Sequence, residues 1–402
     1  MRKILWVLLP LLLLTACGAQ TVPETTLPLV EVEIPYETVA VQLPYEDVEL
    51  TFQSVWWEDD PRAQVLHQAA AFFERKTGAA VRILWPEEGQ DADISQLYAA
   101  QLGEVAPETL LDLTDMAEQA GYGEKSHRAL REQIVDRLGF LGAVAQTPYL
   151  GGVYYNVDAF AQCGIEDVPR TWDQFMDTAE MLHQGGWEPL TLDKEDAVAA
   201  MELHLRRTIG TEQMLKFMGK SDHWHFDEAV IAAMEQVMIF AQSGYMTYGT
   251  PADYPAGQNK MALSNSAMMV GTNADCAAVE EASLMELNWG VFPYPGQLES
   301  GTWASADWLV ISSGCENPQA AFDFVMLLTT GEFDQLRVDL SRGIPADPAN
   351  RSAVVGAVEA LTGEQPQDLG IFGSKQTDPA VKLWSGWYDK ANRYAIALER
   401  SK

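Results

Sequence analysis

Cysteine, histidine and basic side chains are scarce in this sequence, and each scarcity closes off a class of protein. Four cysteines in 402 residues cannot staple a disulfide scaffold. With 26 Lys and Arg against 58 Asp and Glu, the formal charge is −32, which repels nucleic-acid phosphate. Beyond the first twenty residues, no apolar run approaches the roughly 18 to 20 residues that cross a bilayer. Signatures of enzymes are thin as well. Gly219-Lys220-Ser221 resembles the end of a phosphate loop, but the glycine required upstream is Met214. Gly121 and Gly123 begin a dinucleotide fingerprint that breaks at Ser126, and no strand leads into it. Cys-x-x-Cys, His-Glu-x-x-His and Gly-x-Ser-x-Gly do not occur. His223 and His225 flank Trp224, and such a pair can ligate a metal. They read instead as a polar turn before a helix capped at Asp227, so neither metal nor cofactor is expected.

What the sequence does have is apolar and aromatic content, at 47% and 10%, which a disordered chain would lack. Its first twenty residues carry an address. Arg2 and Lys3 precede the apolar run Ile4 to Leu14, followed by Thr15-Ala16-Cys17, the pattern of a secretory signal. The run is too short to span a membrane, and Leu-Thr-Ala-Cys resembles a bacterial lipobox in which Cys17 is lipidated. Residues 1–16 are therefore expected to be removed. Loss of Arg2 and Lys3 then takes the charge from −32 to −34. Residues 17–47 read as an acidic tether, because Pro23, Pro28, Pro35 and Pro44 suppress helix; Val39-Ala40-Val41 could alternatively add an edge strand.

From there strand and helix alternate. Thr51–Trp56 is β-prone, and Asp59, Asp60 and Pro61 supply a helix start. Val65, Ala69, Phe72 and Phe73 keep helical spacing until Thr77-Gly78, and Val81–Trp85 returns to strand. Strand, helix and strand over so short a span predict a parallel βαβ unit. The pattern further predicts a helix over Ile94–Leu102, a strand over Thr109–Leu113, and a strand over Gly151–Tyr155 entering a helix at Val157–Cys163. Thr171-Trp172-Asp173-Gln174 is a capping box opening a helix over 172–184. Helices are expected at 195–218, 227–243, Pro318–Leu328 and Pro379–Leu398, with strands at Ala267–Val270, Trp289–Phe292 and Asp307–Ile311. The fold class is α/β.

Eleven of the 12 tryptophans remain once Trp6 is cleaved off. Trp56, Trp57, Trp303 and Trp308 fall at or near predicted strand ends, where open α/β sheets bind ligands. An aromatic face stacks on the C–H face of a sugar, while nearby Glu58, Asp59, Asn273, Asp275 and Asp307 can bond hydroxyls.

Several ordered segments resemble a known family. They are Gly152-Val-Tyr-Tyr-Asn-Val-Asp-Ala-Phe160, Pro169-Arg-Thr-Trp-Asp-Gln-Phe175, Gly257-Gln-Asn-Lys-Met-Ala262, Ala267-Met-Met-Val-Gly271, Asn317-Pro-Gln-Ala-Ala-Phe322 and Gly343-Ile-Pro345. Their order and spacing resemble the carbohydrate-binding solute-binding proteins of ABC importers, the group related to maltose-binding protein. The resemblance implies a two-lobed periplasmic-binding-protein-like fold of type II, with a hinge crossed more than once. Lobe 1 would comprise 48–157 plus 294–330, and lobe 2 158–293 plus 331–402. It implies a non-catalytic, monomeric receptor, lipid-anchored outside the cytoplasm, that passes a carbohydrate to ABC permease subunits. Trp57, Trp303 and Trp384 would stack on the sugar, and Glu58, Tyr149, Asn273 and Asp307 would complete the cleft. One departure stands out: Gly271-Thr-Asn-Ala lacks the tryptophan that often follows this segment, with Trp303, Trp384 and Trp387 as candidate replacements. A polyamine or other cationic solute would suit the same lobes, since Trp beside Asp or Glu also binds ammonium groups. A secreted glycosidase and a sensor without transport are the further alternatives.

Overall fold

The computed structural model describes residues 43–354 apart from 89–90, 193, 211–227, 249–265, 284–286, 297–303, 342 and 353. Cys17, the signal and nearly all of the tether, the His223/His225 pair, Trp303, Trp384 and the helix expected at Pro379–Leu398 lie outside the described residues.

The chain opens with the parallel unit its pattern implies. Strand β1 (Glu49–Gln53) pairs in parallel with β2 (Ala80–Leu84), and helix α1 (Ala63–Thr77) connects them. Val65, Ala69 and Phe73 are buried, and Gly78 ends the helix at φ +85°. A side chain is strained at that angle, and a Cβ there would also meet the Glu46 backbone at 3.2 Å. The helix start differs from expectation. Asp60 spends its carboxylate on the backbone N–H and guanidinium of Arg62, ahead of the first helical turn, and Pro61 precedes the helix as well. Tyr45, at the far end of the expected tether, stacks on Phe73.

Ile94–Leu102 is not one helix. It divides into strand β3 (Ile94–Leu97) and the short helix α2 (Ala99–Leu102). Ile94 and Gln96 are buried and alternate with less buried neighbours, and the strand is paired on both edges, by β1 and by the later segment Ala304–Ile311. Period-two burial there outweighs the helical reading. Thr109–Leu113 is likewise not a strand: Pro107–Thr109 forms a 3-10 turn, and Leu110 makes only an isolated bridge to Ser312. Helices α3 (Thr114–Gln119) and α4 (Arg128–Leu138) follow.

Strand β4 (Val144–Asn156) is much longer than the Gly151–Tyr155 segment expected from sequence, and it organises the molecule. Its first half, Val144–Leu150, pairs antiparallel with β9 (Ala304–Ile311). Its second half, from Gly151, lies between β7 (Ser266–Thr272) and β8 (Trp289–Phe292). Beyond β7 come β5 (Glu188–Leu192) and β6 (Met246–Tyr248), both parallel. One strand thus serves two half-sheets, β2-β1-β3-β9 on one side and β7-β5-β6 on the other.

The helices follow the same division. Asn156 caps α5 (Val157–Gln162) through the N–H groups of Asp158 and Ala159. The capping box of Thr171 and Gln174 opens α6 (Trp172–Gln184) as its sequence implied. α7 (Lys194–Ile209), α8 (Glu228–Gln242) and α9 (Asn273–Ser283) complete this side. α10 (Pro318–Thr329) and α11 (Gly331–Ser341) return to the first side, against α1. Phe333 of α11 packs edge-on against the Phe72 ring of α1.

Three hydrophobic cores result among the described residues. The first gathers Leu50, Phe52, Trp56, Ile94, Trp308 and Phe324, and the second Phe160, Phe175, Leu190, Phe240 and Phe292. The third, around Leu150, Tyr154, Cys276, Trp289 and Ile344, lies along the middle of β4. Cys163, Cys276 and Cys315 are free thiols. No described helix is long and apolar enough to cross a membrane.

Candidate functional site

β1 and β3 are parallel neighbours, so the segments leaving their carboxyl ends emerge along one edge of the sheet. Trp57 follows β1 and Tyr98 follows β3. They are 53% and 45% exposed, the two aromatic residues among the large apolar side chains left open to solvent in the described part. The Tyr98 hydroxyl donates to the Val55 carbonyl at 3.3 Å, tying the two segments together. Trp56 and Trp308 turn inward and belong to the first core, so neither offers an open face. Glu58 and Asp59 are exposed in the turn after Trp57.

Where β4 pairs with β9, close to the junction of the two half-sheets, lies a part-buried polar pair. The Tyr149 hydroxyl donates to Asp307 Oδ2 at 2.8 Å. Asp307 is 2% exposed, and burial raises its carboxyl to about 6, with Tyr149, Arg62 and Arg337 holding it from rising further. The same burial and the adjacent carboxylate push the Tyr149 phenol far above its ordinary value.

A bulge makes this pair possible. Ala145 opposes Trp308 while Thr147 opposes Asp307, so Gln146 is an extra residue on β4. Absorbing it sets Tyr149 opposite Ser305, on the same face as Asp307. In an unbroken register Tyr149 would oppose Ala304 and point to the other face. The bulged residue is itself used: Gln96 donates to Gln146 Oε1 at 2.7 Å and accepts from the Val55 N–H at 3.1 Å and the Ser54 hydroxyl at 3.2 Å. Ser54 in turn accepts from the Trp56 N–H at 3.0 Å. Ser54, Gln96 and Gln146 are each 1% exposed. This buried chain links β4 to the turn that carries Trp57.

Arg62 completes the cluster. Its guanidinium lies 4.8 Å from the centre of the Trp56 ring and bonds both oxygens of Asp60. Burial alone would lower its pKa, but Asp60, Tyr149 and Asp307 hold it above the ordinary value. Asp60 responds in kind: burial pushes its carboxyl up, and the bonds from Arg62 hold it below the usual range.

Asn273 is placed differently from its neighbours in the sequence reading. It is 1% exposed at the end of β7, accepts the Leu150 N–H at 2.8 Å and donates to the Pro148 carbonyl at 3.3 Å. It thereby ties β7 to β4 where the two half-sheets meet. Asp275 accepts from the N–H and hydroxyl of Thr272 at the same junction. Of the seven cleft residues named from sequence, Tyr149 and Asp307 are thus in direct contact and Trp57 and Glu58 share the turn after β1. Arg62, Asp60 and Tyr98, which the sequence did not single out, lie beside them. Tyr98 was hidden by the helical reading of Ile94–Leu102, and Asp60-x-Arg62 by its use as a helix start. Among the described residues no group of three or more His, Cys, Asp or Glu is arranged to hold a metal ion.

Exposed rings at strand ends, next to buried hydrogen-bonding groups, are the chemistry of a receptor for polar solutes. The family comparison agrees. A model of the bacterial extracellular solute-binding proteins matches residues 86–353, more than half of the chain, and the protein belongs to that family. No curated protein matches it by sequence. Solved structures of similar fold include apo RafE from Streptococcus pneumoniae, with a TM-score of 0.64 and 19% identity over 82% of this chain and 88% of that one. AcbH, a solute receptor described as preferring β-D-galactopyranose, has a TM-score of 0.66 and 18% identity over 87% and 96%. A Bacillus licheniformis sugar transporter in complex with stachyose has a TM-score of 0.53 and 16% identity over 76% and 84%.

Proposed function

We propose that the protein is the carbohydrate receptor of an ABC importer, a non-catalytic binding protein that captures a mono- or oligosaccharide between two lobes. The observation that carries this reading is the pairing of exposed Trp57 and Tyr98 with the part-buried Tyr149–Asp307 pair. Rings of this kind cover the apolar face of a sugar, and a tyrosine–carboxylate pair exchanges hydrogen bonds with its hydroxyls. Similar folds in complex with raffinose and stachyose support the choice of ligand class.

The lobes in this reading are the two half-sheets with their own cores, and the hinge lies where β4 passes from one to the other at Leu150–Gly151. Lobe 1 takes its main body from residues up to about 150 and from β9 and α10, and lobe 2 from β5 to β8. A ligand favours closure only by the contacts it gains in the closed form. Trp303 and Trp384 remain candidates for stacking on the sugar. Lipid on Cys17 would hold the receptor on the outer side of the membrane, with the Pro-rich segment as tether and a permease as partner.

Arg62 speaks against the cationic-solute alternative, because a cation already lies over Trp56. The test is thermal shift and tryptophan fluorescence against a broad panel of mono- and oligosaccharides, raffinose, stachyose and galactose included. A ligand at about 100 times its Kd adds roughly 2.7 kcal/mol to the folded state, enough for a visible rise in Tm. If no sugar in the panel moves either signal, the carbohydrate reading fails.

A further inference from the structure

The Trp56 ring and the Asp60 carboxylate are two walls of a cation site, and the protein fills that site itself. The Arg62 guanidinium carbon lies 4.8 Å from the Trp56 ring centre. Its Nε and Nη2 bond the two oxygens of Asp60 at 2.9 and 2.6 Å, and its backbone N–H reaches the same carboxylate at 2.8 Å. Tyr149 and Asp307 act on the guanidinium from β4 and β9. The Arg62 side chain is 29% exposed, so the slot opens to solvent while the Trp56 residue beneath it is only 2% exposed. An aromatic face with a carboxylate at its edge and a second carboxylate nearby is what recruits an ammonium or alkyl guanidinium ligand.

We propose that Arg62 determines the specificity of the site, occupying this slot so that uncharged polyhydroxylated solutes are admitted and cations are turned away. A free cation would have to displace a guanidinium that is covalently held in place, and would meet its charge on approach. Of the five N–H donors of a guanidinium, Asp60 engages two, which leaves three for solvent or a ligand hydroxyl. The inference rests on reading this cluster as the solute site, and it narrows the ligand class to neutral polyols.

The test uses agmatine and spermidine as probes against the mature protein, Arg62→Ala and Arg62→Met, by calorimetric titration. Arg62→Met keeps an apolar stem over Trp56 and guards against a variant that does not fold. The wild-type protein should show no binding of either probe at millimolar concentration. The variants should bind agmatine at least about tenfold more tightly than wild type, because the Asp60 carboxylate and the Trp56 ring have lost the guanidinium that neutralised them. That gain should vanish in about 0.5 M salt and in Arg62→Met combined with Asp60→Asn. Cation binding by the wild type equal to that of the variants overturns the inference, as does a folded Arg62→Met protein with no gain. A separate sugar titration of the wild type keeps the two readings apart. Its failure would remove the carbohydrate assignment and leave the cation result interpretable.

Discussion

Replacing Asp307 with Asn should stabilise the protein at neutral pH while weakening its binding site. The carboxyl is buried, and its pKa rises from 3.8 unfolded to about 6 in the folded chain. A raised folded pKa means that the native state holds the proton more tightly. The stability it contributes is complete below pH 3.8 and is lost as pH rises through about 6. At about 1.4 kcal/mol for each tenfold change in proton affinity, the loss by pH 7.5 is roughly 3 kcal/mol. Asparagine is neutral throughout and still accepts the Tyr149 hydroxyl, so it avoids that loss. Urea denaturation of both proteins between pH 4 and 8 measures the effect. The curves should nearly coincide at pH 4, separate between about pH 4 and 6 and run parallel above that, with the Asp307→Asn variant the more stable protein. A difference independent of pH, or a variant less stable than wild type at pH 7.5, would refute the placement of a charged carboxylate in this buried setting. The physical implication is that the site keeps an ionised group at a cost in stability, a trade common where binding or catalysis needs charge.

Three other changes probe the remaining parts. Trp57→Ala removes an exposed ring, so its unfolding free energy should stay within about 0.5 kcal/mol of wild type, while sugar-induced thermal stabilisation disappears; a matching loss of intrinsic stability would mean that the ring is packing, not platform. Gln96→Leu leaves the Gln146 side-chain carbonyl, the Val55 N–H and the Ser54 hydroxyl without their buried partner and should cost about 2 to 3 kcal/mol in chemical denaturation. The Arg337–Asp334 ion pair is 2.7 Å long and almost fully buried, and Asp334 also accepts the N–H groups of Ala346 and Asp347. Arg337→Met should therefore destabilise by about 3 to 5 kcal/mol, and an effect below about 1 kcal/mol in the same assay would show that the pair is dispensable.

The sequence alone determined the features governed by local chemistry. The capping box at Thr171 and Gln174, the glycine stop at Gly78, the apolar face of α1 and the existence of α8 depend on neighbours within a few residues. They appear in the structure as their patterns implied. The α/β class and the family were likewise legible, because ordered motifs survive at low identity. Tertiary structure decided what depends on pairing between distant segments. Ile94–Leu97 became strand because β1 and β9 are available on either side of it. Asn273, chosen as a hydroxyl-bonding residue, is committed to the backbone of Pro148 and Leu150 across the sheet. Tyr149 meets Asp307 only because one strand takes up an extra residue at Gln146, a choice between registers that no local propensity records. Composition supplied the tryptophans, but burial decided their roles. Trp56 and Trp308 went into the core under long-range packing, and Trp57 alone among the three was left with a free face.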